Sequence, residues 1–98
     1  KDYVLDIVFA TREPAEYGVP NLAQMIEVGA SPRATLFLLK AAKAHAFLMG
    51  RGYVIPDDIK RVAPDVLRHR VIVSFEAEAE NVTSDQIIQQ ILSRVKVP

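Results

Sequence analysis

The sequence predicts a small all-α domain of four to five helices with a short β element at most, and three observations predict it. Apolar residues recur at helical spacing along most of the chain. Prolines and glycines fall between those stretches, Pro64 excepted, and so mark their ends. The 98 residues are enough for one hydrophobic core, hence for a single domain over residues 1–98.

Taken in order, Tyr3, Val4, Ile7, Val8 and Thr11 share one face, so Lys1 to Thr11 reads as an amphipathic helix that Pro14 stops. Glu13 to Asn21 carries two prolines and a glycine and reads as a loop. Leu22, Met25 and Ile26 have the spacing for one or two helical turns, ended by Val28 and Gly29. The next helix is the longest. Ser31 suits the N-cap, and Pro32 suits the first helical position, where its missing N–H has no intrahelical partner to lose. Ala34 to Met49 is rich in Leu, Ala and Lys, all good helix formers, and Gly50 and Gly52 supply a left-handed stop. Leu36, Phe37, Leu38, Leu39, Ala41, Ala42, Phe47 and Leu48 cover most of its circumference, with Lys40 and Lys43 on a narrow wet side. Such a helix is expected at the centre of the domain, with the others packed around it.

Pro56-Asp57-Asp58 opens a third helix, its carboxylates complementing the positive end of the dipole. Ile59, Val62, Ala63, Val66 and Leu67 continue it, and Pro64 predicts a kink or break near Ala63. Val71, Ile72 and Val73 are β-branched and read as a short strand. Phe75 to Glu80 fits a helical turn or an extended edge equally well. Thr83 and Gln86 form a capping-box signature ahead of Ile87, Ile88, Ile91, Leu92 and Val95, which predicts the last helix.

Twelve Lys and Arg balance twelve Asp and Glu, and a zero net charge argues against a nucleic-acid module or an anionic membrane surface as partner. With no cysteine, disulfides, thiolate metal sites and cysteine redox chemistry are excluded. No apolar run approaches the roughly 20 residues of a membrane span. The chain opens on Lys1-Asp2-Tyr3, with neither an initiator Met nor a signal-peptide pattern, and is expected to be a piece of a longer cytoplasmic protein.

Few residues offer chemistry. His45 lies among Ala44, Ala46 and Phe47 with no second ligand at metal spacing, and reads as a partly buried helix histidine. His69, between Arg68 and Arg70, reads as structural, because the flanking charges oppose its protonation. Glu76, Glu78 and Glu80 read as a solvated acidic face, since no nucleophile or base accompanies them. No metal site is expected. There is no glycine-rich phosphate loop, so these residues alone are not expected to bind and hydrolyse a nucleotide.

Arg33 is different. Gly29-Ala30-Ser31-Pro32-Arg33-Ala34 places a cation in the first turn of the longest helix, where the macrodipole disfavours it by roughly 0.3–1 kcal/mol. Together with free backbone N–H groups, that guanidinium would concentrate positive potential, and a phosphate is the natural partner. The other reading is an exposed arginine stacked on a neighbour. Pattern alone leaves both open.

The same hexapeptide resembles the sensor 2 motif of MoxR-type AAA+ ATPases. The likeness continues in order through the segment from Gly50 to Ile59 (GRGYVIPDDI), then 63–70 (APDVLRHR), then 75–80 (FEAEAE), and spans nearly the whole chain from Ile7 to Pro98. Two positions depart from it. Ile55 stands where a hydroxyl N-cap is usual, which implies a less firmly started third helix, and Gly52 replaces the more usual Asp.

The resemblance implies an AAA+ lid domain, a fragment of an ATP hydrolase that acts as a chaperone for other proteins. An upstream α/β domain of the same chain would hold the Walker motifs and Mg²⁺, and Ser31, Pro32 and Arg33 would lie at the ATP, with Arg33 on the γ-phosphate. Neighbouring subunits of a ring, such as a hexamer, client proteins and proteins with von Willebrand factor A domains are the implied partners, with contacts involving Arg68 and Arg70. A free-standing helical interaction module and the lid of a helicase-type AAA+ ATPase are the competing readings.

Overall fold

The structure is a computed structural model that describes residues 2–97, so Lys1, the expected first helical residue, and Pro98 lie outside the described residues. It contains five α-helices and one two-stranded sheet: α1 (Asp2–Arg12), β1 (Ile26–Val28), α2 (Ala34–Leu48), α3 (Pro56–Leu67), β2 (Ile72–Val73), α4 (Phe75–Ala79) and α5 (Ser84–Arg94). The expected all-α class with a small β element holds.

Between α1 and β1 the expected loop winds instead into two short 3-10 turns, Pro14–Tyr17 and Pro20–Gln24. Each has proline at its start, where the fixed φ suits a tight turn and no donor is lost. The helical turns expected at Leu22, Met25 and Ile26 are therefore only partly present, since Ile26 enters β1. Long-range pairing overrides local spacing there: β1 runs antiparallel to β2, with Ile26 opposite Val73 and Val28 opposite Ile72. Residue Ser74 then caps α4, its hydroxyl accepting from Ala77 N–H at 3.1 Å and donating to the Gln24 carbonyl at 2.7 Å. This cap settles Phe75–Ala79 as a helix, with Glu80 as its C-cap.

Two further expectations are narrowed. Of the kink or break expected near Ala63, the break is absent: α3 runs through Pro64 from Pro56 to Leu67. The proline costs one backbone bond to residue 60, but Ile59, Ala63 and Leu67 are buried on either side of it and hold the helix on the core. At the turn after α2, Gly50 alone takes a left-handed φ, of 81°, so Gly52 is not part of the stop.

The larger correction concerns α2, which is not central. It buries only the stripe Ala34, Leu38, Ala42 and Ala46, at a spacing of four. The core is built from Ala34, Leu38 and Ala42 of that stripe together with Val4, Ile7 and Val8 of α1, Ile59, Ala63 and Leu67 of α3, and Ile87, Ile88 and Ile91 of α5. Leu36, Phe47 and Leu48 are 63%, 79% and 77% exposed. Three of the four inward residues are alanines, which lets the backbone of α2 pack close while its larger side chains point away.

Candidate functional site

The site forms where the end of α1 meets the approach to α2. Thr11, in the last turn of α1, is buried and its hydroxyl is used twice: it donates to the Val8 carbonyl at 2.6 Å and accepts from Ala30 N–H at 2.9 Å. The adjacent Gly29 lies against the Thr11 carbonyl so closely that a Cβ there would clash with it. Arg12 Nη1 adds a longer bond, 3.4 Å, to the Ala30 carbonyl. Ala30 is fully buried. The backbone is thus pinned to α1 immediately before Ser31-Pro32-Arg33.

From that anchor the chain winds into α2 through a tight turn. The N–H groups of Ala34, Thr35 and Leu36 donate to the carbonyls of Ser31, Pro32 and Arg33 at 2.9, 3.1 and 3.1 Å. The expected start, with Ser31 as N-cap and Pro32 first in the helix, is displaced by two residues: the hydrogen-bonded winding begins from the Ser31 carbonyl in 3-10 form, and the α-helix proper starts at Ala34 with Arg33 as its N-cap. Two expectations are corrected here. No side-chain cap bond from Ser31 is present among the described residues, and the N–H groups of 34–36 are already paired rather than free for an anion. The group at this helix end that is left with charge to offer is the side chain of Arg33.

Arg33 is exposed, and among the described residues no hydrogen bond or ion pair engages its guanidinium. Ser31 and Pro32 beside it are also exposed. The stacked-arginine reading applies elsewhere, to Arg70, whose guanidinium carbon lies 4.6 Å from the centre of the Phe37 ring. Arg33 also shares a helical face, at spacings of three and four, with exposed Leu36, Phe37, Lys40, Phe47 and Leu48. One side of α2 therefore carries an exposed cation at its start and apolar side chains along its length.

At the far end of α2 sits a second polar centre that the sequence did not reveal. Asp58 is completely buried and accepts from Ile55 N–H at 2.8 Å, from His45 Nδ1 at 2.7 Å and from Arg51 Nη2. An ionised carboxylate only accepts, so Nδ1 of His45 carries the proton. Burial pushes the Asp58 carboxyl up, but the Ile55, His45 and Arg51 donors outweigh it and hold the value at about 2, from an ordinary 3.8. His45 is thus the partly buried helix histidine expected, with a hydrogen-bonding carboxylate partner in addition. Asp58 also answers the missing hydroxyl at Ile55: the cap residue has no side-chain acceptor, and the third residue of the helix bonds back to its N–H instead. The spacing Ile55 to Asp58 carried that half of the signal; the contact with His45 did not show in the sequence at all.

The remaining candidates do not gather into a centre. His69 and Glu76, Glu78 and Glu80 are exposed. Arg68 is engaged within the chain, by Asp85 at 2.9 Å and Asp65 at 3.1 Å, and Arg70 donates to the Val66 carbonyl at 2.9 Å. Among the described residues no group of three or more His, Cys, Asp or Glu side chains is placed to hold a metal ion. No helix there is long and apolar enough to cross a membrane.

Residues 21–91, from the two-turn connection to the middle of α5, match the family model for the AAA lid domain. The chain belongs to that family. This lid domain is 42% identical over 97 residues to "Chaperone MoxR1" of Mycobacterium tuberculosis, covering 99% of the chain and 26% of that protein. It is 33% identical over 102 residues to "Protein MoxR" of Methylorubrum extorquens, covering 98% of the chain and 29% of that protein. A crystal structure from Cytophaga hutchinsonii, described as a "putative ATPase", superposes with a TM-score of 0.94 at 50% identity, over 99% of the lid domain and 29% of the solved chain. The resemblance to MoxR proteins therefore holds, and the lid domain spans between a quarter and a third of the length of these relatives.

Proposed function

We propose that this lid domain belongs to an ATP-hydrolysing, MoxR-like chaperone of the cytoplasm, in which it closes over ATP and brings Arg33 to the γ-phosphate. The observation that carries this reading is the exposed guanidinium of Arg33, unpaired among the described residues, at the head of α2 and on the same face as the exposed Leu36, Phe37, Phe47 and Leu48. A long cationic side chain can make charge-assisted bonds to a terminal phosphate that are present with ATP and lost after hydrolysis. The lid's favoured orientation then depends on the nucleotide. Ser31 and Pro32 flank the phosphate, supplying the turn that aims Arg33.

In this reading an upstream α/β domain of the same chain carries the Walker motifs and Mg²⁺, the metal supplying charge neutralisation at the phosphates. The apolar face of α2 packs on that domain or on the neighbouring subunit of a ring such as a hexamer, since an uncovered patch of large apolar side chains marks an interaction surface. Client proteins and proteins with von Willebrand factor A domains are the proposed targets. Relatives with chaperone and ATPase descriptions support the assignment.

The test is Arg33→Ala in the full-length protein. Because Arg33 is exposed and makes no side-chain bond among the described residues, the thermal midpoint stays within about 2 °C while ATP turnover falls by at least about tenfold. Turnover equal to the parent at saturating ATP and Mg²⁺ would remove Arg33 from the mechanism.

A further inference from the structure

We infer that Thr11 is a positioning residue for Arg33, and that the Thr11–Gly29–Ala30 clasp couples the end of α1 to the phosphate-facing turn; this rests on the role proposed for Arg33. Three observations converge on it. The Thr11 hydroxyl is buried and engaged as both donor and acceptor, tied to the Val8 carbonyl inside α1 and to Ala30 N–H across the gap. Gly29 brings the incoming backbone against the Thr11 carbonyl at a distance that no side chain permits. Only two residues separate Ala30 from Arg33; one is Pro32, with its φ fixed, and the carbonyls of Ser31, Pro32 and Arg33 are already bonded to 34–36.

With so few free dihedrals, the place of the Arg33 Cα follows from the place of Ala30. The place of Ala30 follows from Thr11. Threonine is suited to this because its methyl fills core space while its hydroxyl serves as donor and acceptor at once. Valine has nearly the same shape and neither function. It would leave Ala30 N–H buried without a partner, and the backbone would shift to find one. A displacement of about 1 Å there is enough to spoil phosphate contact at the end of a long side chain.

The experiment is a double-mutant cycle on ATP turnover by the full-length protein, with Thr11→Val, Thr11→Ser, Arg33→Ala and the Thr11→Val/Arg33→Ala pair. Thr11→Val lowers kcat about five- to tenfold, Thr11→Ser stays within about twofold of the parent, and Thr11→Val changes kcat by less than about twofold once Arg33 is alanine. A purely structural role for Thr11 predicts something else, the same factor in both backgrounds, and that result overturns the inference while leaving Arg33 in place. If Arg33→Ala by itself leaves turnover unchanged, the reading of Arg33 fails first and the inference goes with it. Should Thr11→Val not fold, Gly29→Ala displaces the same turn from the other side of the clasp. It is expected to lower kcat in the parent background and not in Arg33→Ala, and an equal loss in both overturns the proposal.

Discussion

Asp58 is shut away from water yet surrounded by three donors, and its response to acid follows from that arrangement. Its carboxyl titrates lower in the folded chain, at about 2, than the ordinary 3.8, so the unfolded state binds the proton more readily. The carboxylate therefore contributes stability that is fully present above about pH 4 and lost as the pH falls toward 2. Thermal melts of the 98-residue chain between pH 6 and pH 2 should show that loss. In Asp58→Asn the midpoint is lower at pH 6 and the acid limb shallower; parallel limbs would mean that the carboxylate is not the group being titrated. At this scale the sequence was informative only about neighbours along the chain. The fit of Arg33 to the start of α2 is a local pattern and could be read. The Thr11 to Ala30 bond and the His45 to Asp58 pair join residues on separate elements, and no periodicity announces them.

Among the elements, α2 separates two kinds of apolar residue that its sequence makes look alike. Leu38 is fully buried and Leu36 largely exposed, although both are leucines two positions apart. Leu38→Ala should cost about 2–5 kcal/mol by opening a cavity in the core. Leu36→Ala should stay within about 0.5 kcal/mol. Chemical denaturation of the two variants decides the matter, and equal losses would restore α2 to the centre of the domain. The amphipathic patterns of α3 and α5 were legible because each has one polar and one apolar side. That of α2 was not, because both its sides are apolar and only the small size of Ala34, Ala42 and Ala46 distinguishes the packed one. Pro64 does not break α3 for a related reason: the local penalty is real, but burial of Ala63 and Leu67 outweighs it.

For the molecule as a whole, this division separates what folds the chain from what it offers to others. Replacing Leu36, Phe47 and Leu48 with glutamine should leave the thermal midpoint of the 98-residue chain within about 3 °C and raise its solubility limit, because no packed neighbour is lost. A cooperative loss of structure in the triple variant would show that the outer face belongs to the core after all. The fold class could be read because helix caps, proline positions and spacing agree with one another over nearly every segment. The two-stranded sheet was half-seen: Val71 to Val73 announced one strand, while the partner Ile26–Val28 is set by pairing across more than forty residues.

The contacts around Asp58 have a mechanical consequence. They fasten the end of α2, through His45, to the connecting turn, through Arg51 and Ile55, and to the first turn of α3, all within one carboxylate's reach. Bending between α2 and α3 would have to break a buried ionic junction, so the contacts tie the two rods into one unit over residues 34–67.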